Sequence, residues 1–146
     1  MKRMMYERIV VPTVLYGAET WGLNVREKRR LDVMEMKCLR SMCGVTIRDR
    51  IRNEEIRRRV GVQINMAGRV ERCVLRWFGH VERMNDERMA KRVYVSGVEG
   101  RQGRGRPNRV WIDGVKEALN KRGWTLEQAR TTVHDRVEWR RIVNEA

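Results

Sequence analysis

The chain has 146 residues, is 41% apolar, and carries 33 basic against 19 acidic side chains for a net charge of +14. That length suits one ordinary domain or two small helical ones, with enough apolar material for a core, so a wholly unfolded chain is excluded. The surplus comes from 27 arginines against 6 lysines, beyond what solubility needs and in the side chain suited to forked phosphate contacts, which makes RNA or DNA the leading partner class.

The first predicted element is a helix with Met5, Ile9, Pro12 and Tyr16 on one face, closed by Gly17. Pro12 kinks it or marks a new start, and Thr20 then offers a cap. The clearest amphipathic helix follows. It sets Leu31, Met34, Cys38, Leu39 and Met42 on one stripe, keeps Arg26, Lys28, Arg29 and Arg30 outside it, and stops at Gly44.

Asn53 with Glu54 and Glu55 reads as a helix start, because its side chain can accept from free amides and the acids suit the positive end of the dipole. Gly61 ends that short helix. From about Asn65 the spacing of Met66, Val70, Cys73, Val74, Trp77, Val81 and Met84 is helical, with Arg69, Arg72, Arg76 and Arg83 on the other side. Val93-Tyr94-Val95 is a brief β-type run or an extended lead-in to the segment after it. That segment, Gly100 to Pro107, sets glycines and a proline beside Arg101, Arg104 and Arg106 with nothing apolar to bury, and reads as a basic connector. Trp111, Val115, Ala118, Leu119 and Arg122 then mark a helix ended by Gly123, and Thr125 with Gln128 forms a capping box that starts another. The expectation is a mainly α protein, a small bundle of about five to six helices with a Gly/Arg-rich connecting loop. Its divisions are 1–95, 96–109 and 110–146.

Charge is uneven along these elements. Residues 48–109 carry 17 basic and 8 acidic side chains, whereas 110–146 carry 7 and 6, so a polyanion is expected against the middle of the chain. No segment approaches the roughly 20 apolar residues of a membrane helix, and the N-terminal run after Glu7 is short, contains Pro12 and makes a poor signal peptide. Three cysteines, Cys38, Cys43 and Cys73, form an odd set in such a chain. Reduced thiols in an intracellular setting, nuclear or cytoplasmic, are therefore expected.

Read in order, Tyr6-Glu7-Arg8-Ile9-Val10-Val11-Pro12, Leu15-Tyr16-Gly17-Ala18-Glu19-Thr20-Trp21, Arg48 through Ile56, Leu75-Arg76-Trp77-Phe78-Gly79-His80-Val81 and Gly103-Arg104-Gly105-Arg106-Pro107 resemble the carboxy-terminal region of non-LTR retrotransposon reverse transcriptases. The resemblance extends from about Tyr6 to the Asp135–Arg140 run. It implies a thumb-like helical part followed by a basic tail that holds template, primer or element RNA, and a polymerase palm upstream. The metal-binding aspartates of that palm have no counterpart here. Polymerisation by two metal ions needs converging carboxylates, yet Asp32, Asp49, Asp86, Asp113 and Asp135 are isolated from one another in sequence. The expectation is a non-catalytic fragment, decayed copy or domesticated remnant without an endonuclease domain and without a cofactor.

The best phosphate-contacting residues are Arg101, Arg104, Arg106 and Arg109 in and beside the connector, with Arg69, Arg72, Arg76, Arg48, Arg50 and Arg52 as a second surface. Trp77 shares a stripe with Val70, Val74 and Val81 and is expected in the core rather than stacked on a base, and Trp21, Trp124 and Trp139 are read the same way. Cys38, Cys43, Cys73 and His80 lack the close pairing of a structural zinc site, so no metal is expected. His80 and His134 have no nucleophile beside them, and His80 reads as a packing residue. A helical module binding a protein partner through the Leu31 to Met42 face is the rival reading, and a relic reading frame without a selected role is a third.

Overall fold

Pro12 shapes the first element. It has no N–H to give the carbonyl of Arg8, and the helix widens just before it. In the computed structural model of the protein, which describes residues 2–96 and 109–145, Lys2–Met5, Tyr6–Val10 and Val11–Val14 run on as one helical segment. We call it α1. Tyr6–Val10 is a π turn, in which the Val11 N–H reaches back five residues to the Tyr6 carbonyl. The extra residue rotates the apolar face. Tyr6 and Val11 are buried, whereas Met5, Ile9, Pro12 and Tyr16, which the spacing sets on one face, are exposed.

The second helix, α2 (Val25–Cys43), starts at Asn24 rather than Thr20. The Asn24 side chain accepts from the Glu27 N–H at 3.0 Å while the Glu27 carboxylate accepts from the Asn24 N–H at 2.8 Å. It ends at Gly44, whose φ of 68° lies in the left-handed region that a glycine enters without cost. Next come a short 3-10 turn at Ile47–Asp49 and α3 (Asn53–Val60). Asn53 does not cap α3. Its side-chain oxygen instead accepts from the Arg40 guanidinium at 2.7 Å, tying α3 to α2.

Beyond these lie α4 (Met66–Glu82), α5 (Met89–Ser96), α6 (Trp111–Asn120), α7 (Leu126–Thr132) and α8 (Arg136–Asn144). The Thr125–Gln128 capping box forms as its spacing predicts, with the Gln128 amide donating to the Thr125 hydroxyl at 3.3 Å. With residues 2–14 counted as one, the described residues hold eight helices and no strand, a mainly α fold with more helices than expected. Val93-Tyr94-Val95 is helical, not β-like. Val93 and Val95 are exposed, and Tyr94 is turned inward by a 2.6 Å hydrogen bond to Glu82, a tertiary contact that overrides β propensity. The Gly/Arg-rich connector lies outside the described residues.

Packing divides the chain into two units, one of residues 1–18 and 23–70, the other of residues 19–22 and 71–146. The core of the first gathers Tyr6, Val11, Met36, Leu39, Ile56, Val62 and Met66. Leu31, Met34 and Met42 of the stripe offered as a partner-binding face are partly buried and pack against this core. Buried among these apolar groups is Glu35, which accepts from the Tyr6 hydroxyl at 2.9 Å and the Arg57 guanidinium at 3.0 Å.

In the second unit Val74, Leu75, Phe78 and Val81 of α4 are buried, as are Val115, Leu119, Val133, Trp139 and Ile142. Phe78 is the aromatic centre, 5.8 Å from Trp139, 6.4 Å from Tyr94 and 6.5 Å from Trp111, ring centre to ring centre. Glu82 joins three helices. Its carboxylate accepts from Lys91 and Tyr94 of α5 and Arg130 of α7.

Candidate nucleic-acid interface

Arginine periodicity on two helices builds the site. On α4, Arg76 and His80 stand one turn apart with Arg83 just beyond, and on α8, Arg136 and Arg140 stand one turn apart. Gly79 lies between the α4 residues, and a side-chain carbon there would run into the indole of Trp139 from α8. The bare backbone at Gly79 admits the Trp139 ring, which is 4% exposed, and this brings the basic rows of α4 and α8 to one place.

The result is a concavity of about 730 Å³ lined by Arg76, His80, Arg83, Arg136 and Arg140 over a floor of Trp139 and Val143. No carboxylate lines it among the described residues. Arg83 is anchored by donating to the Val133 carbonyl at 2.7 Å, and burial, with the neighbouring Arg136 charge second, lowers its pKa. Like charges held this close mark a field that only an anion relieves. Arg76, Arg136 and Arg140 are exposed and form no ion pair among the described residues. Glu138, on the same helix as Arg136 and Arg140, is committed to Arg141.

The arginines singled out from sequence are dispersed by the fold. Arg101, Arg104 and Arg106 lie outside the described residues. Arg109 pairs with Glu117, and Arg69 forks onto the Glu7 carboxylate at 2.7 and 3.0 Å within the first unit. Arg72 donates to the Asn144 carbonyl, leaving Arg76 as the α4 candidate that enters the concavity. Arg48, Arg50 and Arg52 are exposed together around the turn at Ile47–Asp49 in the first unit, with Arg50 at a φ of 52°. Hydrogen bonds from the Thr46 amide and hydroxyl lower the pKa of Asp49 in that turn.

Arg136 and Arg140 escaped the sequence reading because residues 110–146 are nearly neutral in sum, and a sum cannot register which acids are already paired. Their four-residue spacing was a signal available in the sequence. Trp77 also differs from expectation: it is half-buried, while its neighbour Phe78 takes the core position. His80 is exposed, with its ring 5.3 Å from that of Trp77. Among the described residues no three His, Cys, Asp or Glu side chains gather as a metal site would require, and the three cysteines are free. No described helix is long and apolar enough to cross a membrane.

The chain is similar to a transposon-derived protein. That relative, from Caenorhabditis elegans and otherwise uncharacterised, is 27% identical over 153 aligned positions that take in 95% of this chain and 52% of its own length. The chain thus spans about half the length of the curated relative it matches. No protein-family model matches it, and no solved structure does.

Proposed function

We propose that this chain binds the phosphate backbone of nucleic acid with low sequence specificity, as a non-catalytic piece resembling the carboxy-terminal region of a non-LTR retrotransposon reverse transcriptase. The carboxylate-free arginine concavity of the second unit is the observation that carries the reading. Several guanidiniums without acidic partners favour a polyanion, and they supply no group that would read base edges in preference to phosphate. Similarity to a transposon-derived protein and the order of the motifs from Tyr6 to Arg140 support the origin.

The acidic residues fit a binding role better than a catalytic one. Asp49, Asp113 and Asp135 each accept backbone N–H groups at the start of a helix or turn, and Asp32 stands 3.9 Å from Arg57. These structural uses of four of the five aspartates support a binding role.

Binding of the full chain to single-stranded RNA, single-stranded DNA and duplex DNA across a salt series tests the proposal. If about five phosphates are neutralised, affinity falls with a log-log slope near ~3.5 on single strands and ~4.5 on duplex. Changing Arg76, Arg136 and Arg140 to alanine should lower the single-strand slope by about 2, and Arg101, Arg104 and Arg106 changed likewise measures the share of the connector. A chain that ignores all three polymers at low salt is not a nucleic-acid binder, and one that incorporates nucleotides with metal is not non-catalytic.

A further inference from the structure

We propose that the second unit holds a slot for one unpaired base beside its phosphate-binding concavity, so that it prefers single-stranded RNA or DNA to duplex. This rests on the phosphate-binding reading and specifies its ligand. The slot is an apolar groove of about 380 Å³ among Trp77, Val81, Val93, Tyr94, Val110 and Trp111. Its aromatic walls are fixed. The Tyr94 hydroxyl donates to Glu82 at 2.6 Å, the Trp111 indole N–H donates to the Glu19 carbonyl at 2.8 Å, and the Tyr94 and Trp111 rings meet edge to face at 6.1 Å. With their polar ends held, these side chains present ring surface rather than hydrogen-bonding groups, as a base-stacking platform does.

The two depressions adjoin on α4. Trp77 lines the apolar groove and His80 lines the cationic concavity, and their rings are 5.3 Å apart. With these two residues in contact on one helix, one strand can place phosphate among Arg76, Arg136 and Arg140 while its base enters beside Trp77. A duplex cannot do so without flipping a base, because its bases are already stacked. The groove remains accessible at its rim, where Val93 is 60% and Val110 is 38% exposed. The adjoining arginine concavity sets this apolar groove apart from one made for another protein's apolar side chain, since the polymer that satisfies the arginines also carries flat apolar faces.

Binding of the full chain is to be measured against a short single strand of RNA, the same strand of DNA, each with abasic sugars replacing its bases, and the matching duplex, at one low salt concentration. Base removal and Trp77→Ala are each expected to weaken single-strand binding about 10-fold, with duplex affinity and salt slope unchanged, and Trp77→Phe to retain most of the affinity. In Trp77→Ala the abasic and base-bearing strands should bind alike. The abasic arm needs no variant and so is independent of folding. Equal binding of base-bearing and abasic strands to the unaltered chain overturns the slot, as does an equal loss on single strand and duplex in Trp77→Ala. A dimer that weakens on Trp77→Ala assigns the groove to a second copy instead. Failure to bind any polymer removes the phosphate reading itself, whereas binding that is blind to bases removes the slot alone.

Discussion

Glu35 is a fully buried carboxylate, and such a group is tolerated because the Tyr6 hydroxyl and the Arg57 guanidinium occupy its two oxygens. Tyr6 responds in turn: burial first, then the hydrogen bond to Glu35, pushes its hydroxyl well above the usual phenol range. Replacing Glu35 with alanine should destabilise the protein by about 3 kcal/mol, and Tyr6→Phe, which leaves the ring in place, by about 2 kcal/mol. Urea unfolding midpoints check both, and a smaller loss for Glu35→Ala than for Tyr6→Phe would show that the carboxylate does not organise the cluster. Gly79 is the corresponding residue in the second unit. Gly79→Ala forces a methyl group into the Trp139 indole and should cost about 1–3 kcal/mol, although alanine is otherwise the better helix residue. A variant as stable as the parent would mean that α4 and α8 do not meet over Gly79. Neither contact is visible in the sequence, because each joins residues far apart along the chain.

At the level of elements, the caps were readable where side chain and amide are close along the chain. Thr125-Leu126-Glu127-Gln128 forms its box, and Gly44 and Gly61 end their helices. Thr20 was mistaken for the α2 cap although Asn24 and Glu27 carry the proper spacing, and Asn24→Ala should cost about 1 kcal/mol in thermal unfolding where Thr20→Ala costs less. The first helix went wrong for a physical reason: periodicity assumes 3.6 residues per turn, and the π turn before Pro12 adds a residue. Glu82 governs how α4, α5 and α7 hold together against acid. Burial raises its pKa, but hydrogen bonds from Tyr94 and Lys91 and the charges of Lys91 and Arg130 outweigh that, leaving it below its ordinary value of 4.5. A depressed folded-state pKa gives stability that is present above the unfolded value and lost as pH falls through the folded one. Stability should therefore drop below about pH 4.5, and Glu82→Gln should lower stability at neutral pH while flattening that acid limb. An acid limb identical in parent and variant would exclude Glu82 as a contributor.

On the scale of the whole molecule, a net charge of +14 sets the response to ions. Self-repulsion within the compact state predicts that the melting temperature of the free chain rises as salt is added. In the presence of RNA the order reverses at low salt, because ligand binding to the folded state at about 100 times Kd adds roughly 2.7 kcal/mol, and salt removes that gain. Melting curves with and without RNA at low and moderate salt check this. Two salt responses of the same sign would be incompatible with phosphate binding by the folded chain.

Helix content, the stops at Gly44, Gly61 and Gly123, the amphipathic stripes of α2 and α4 and the excess of arginine followed from sequence, because each depends on neighbours within a turn or on composition alone. Tertiary structure decided which arginines remain available. Arg69 and Arg109 are spent on Glu7 and Glu117, while Arg136 and Arg140, hidden in a segment of nearly balanced charge, join Arg76 and Arg83 where Trp139 settles over Gly79. Ion pairing and close helix contact link residues dozens of positions apart, and no local pattern encodes which acid will reach which base.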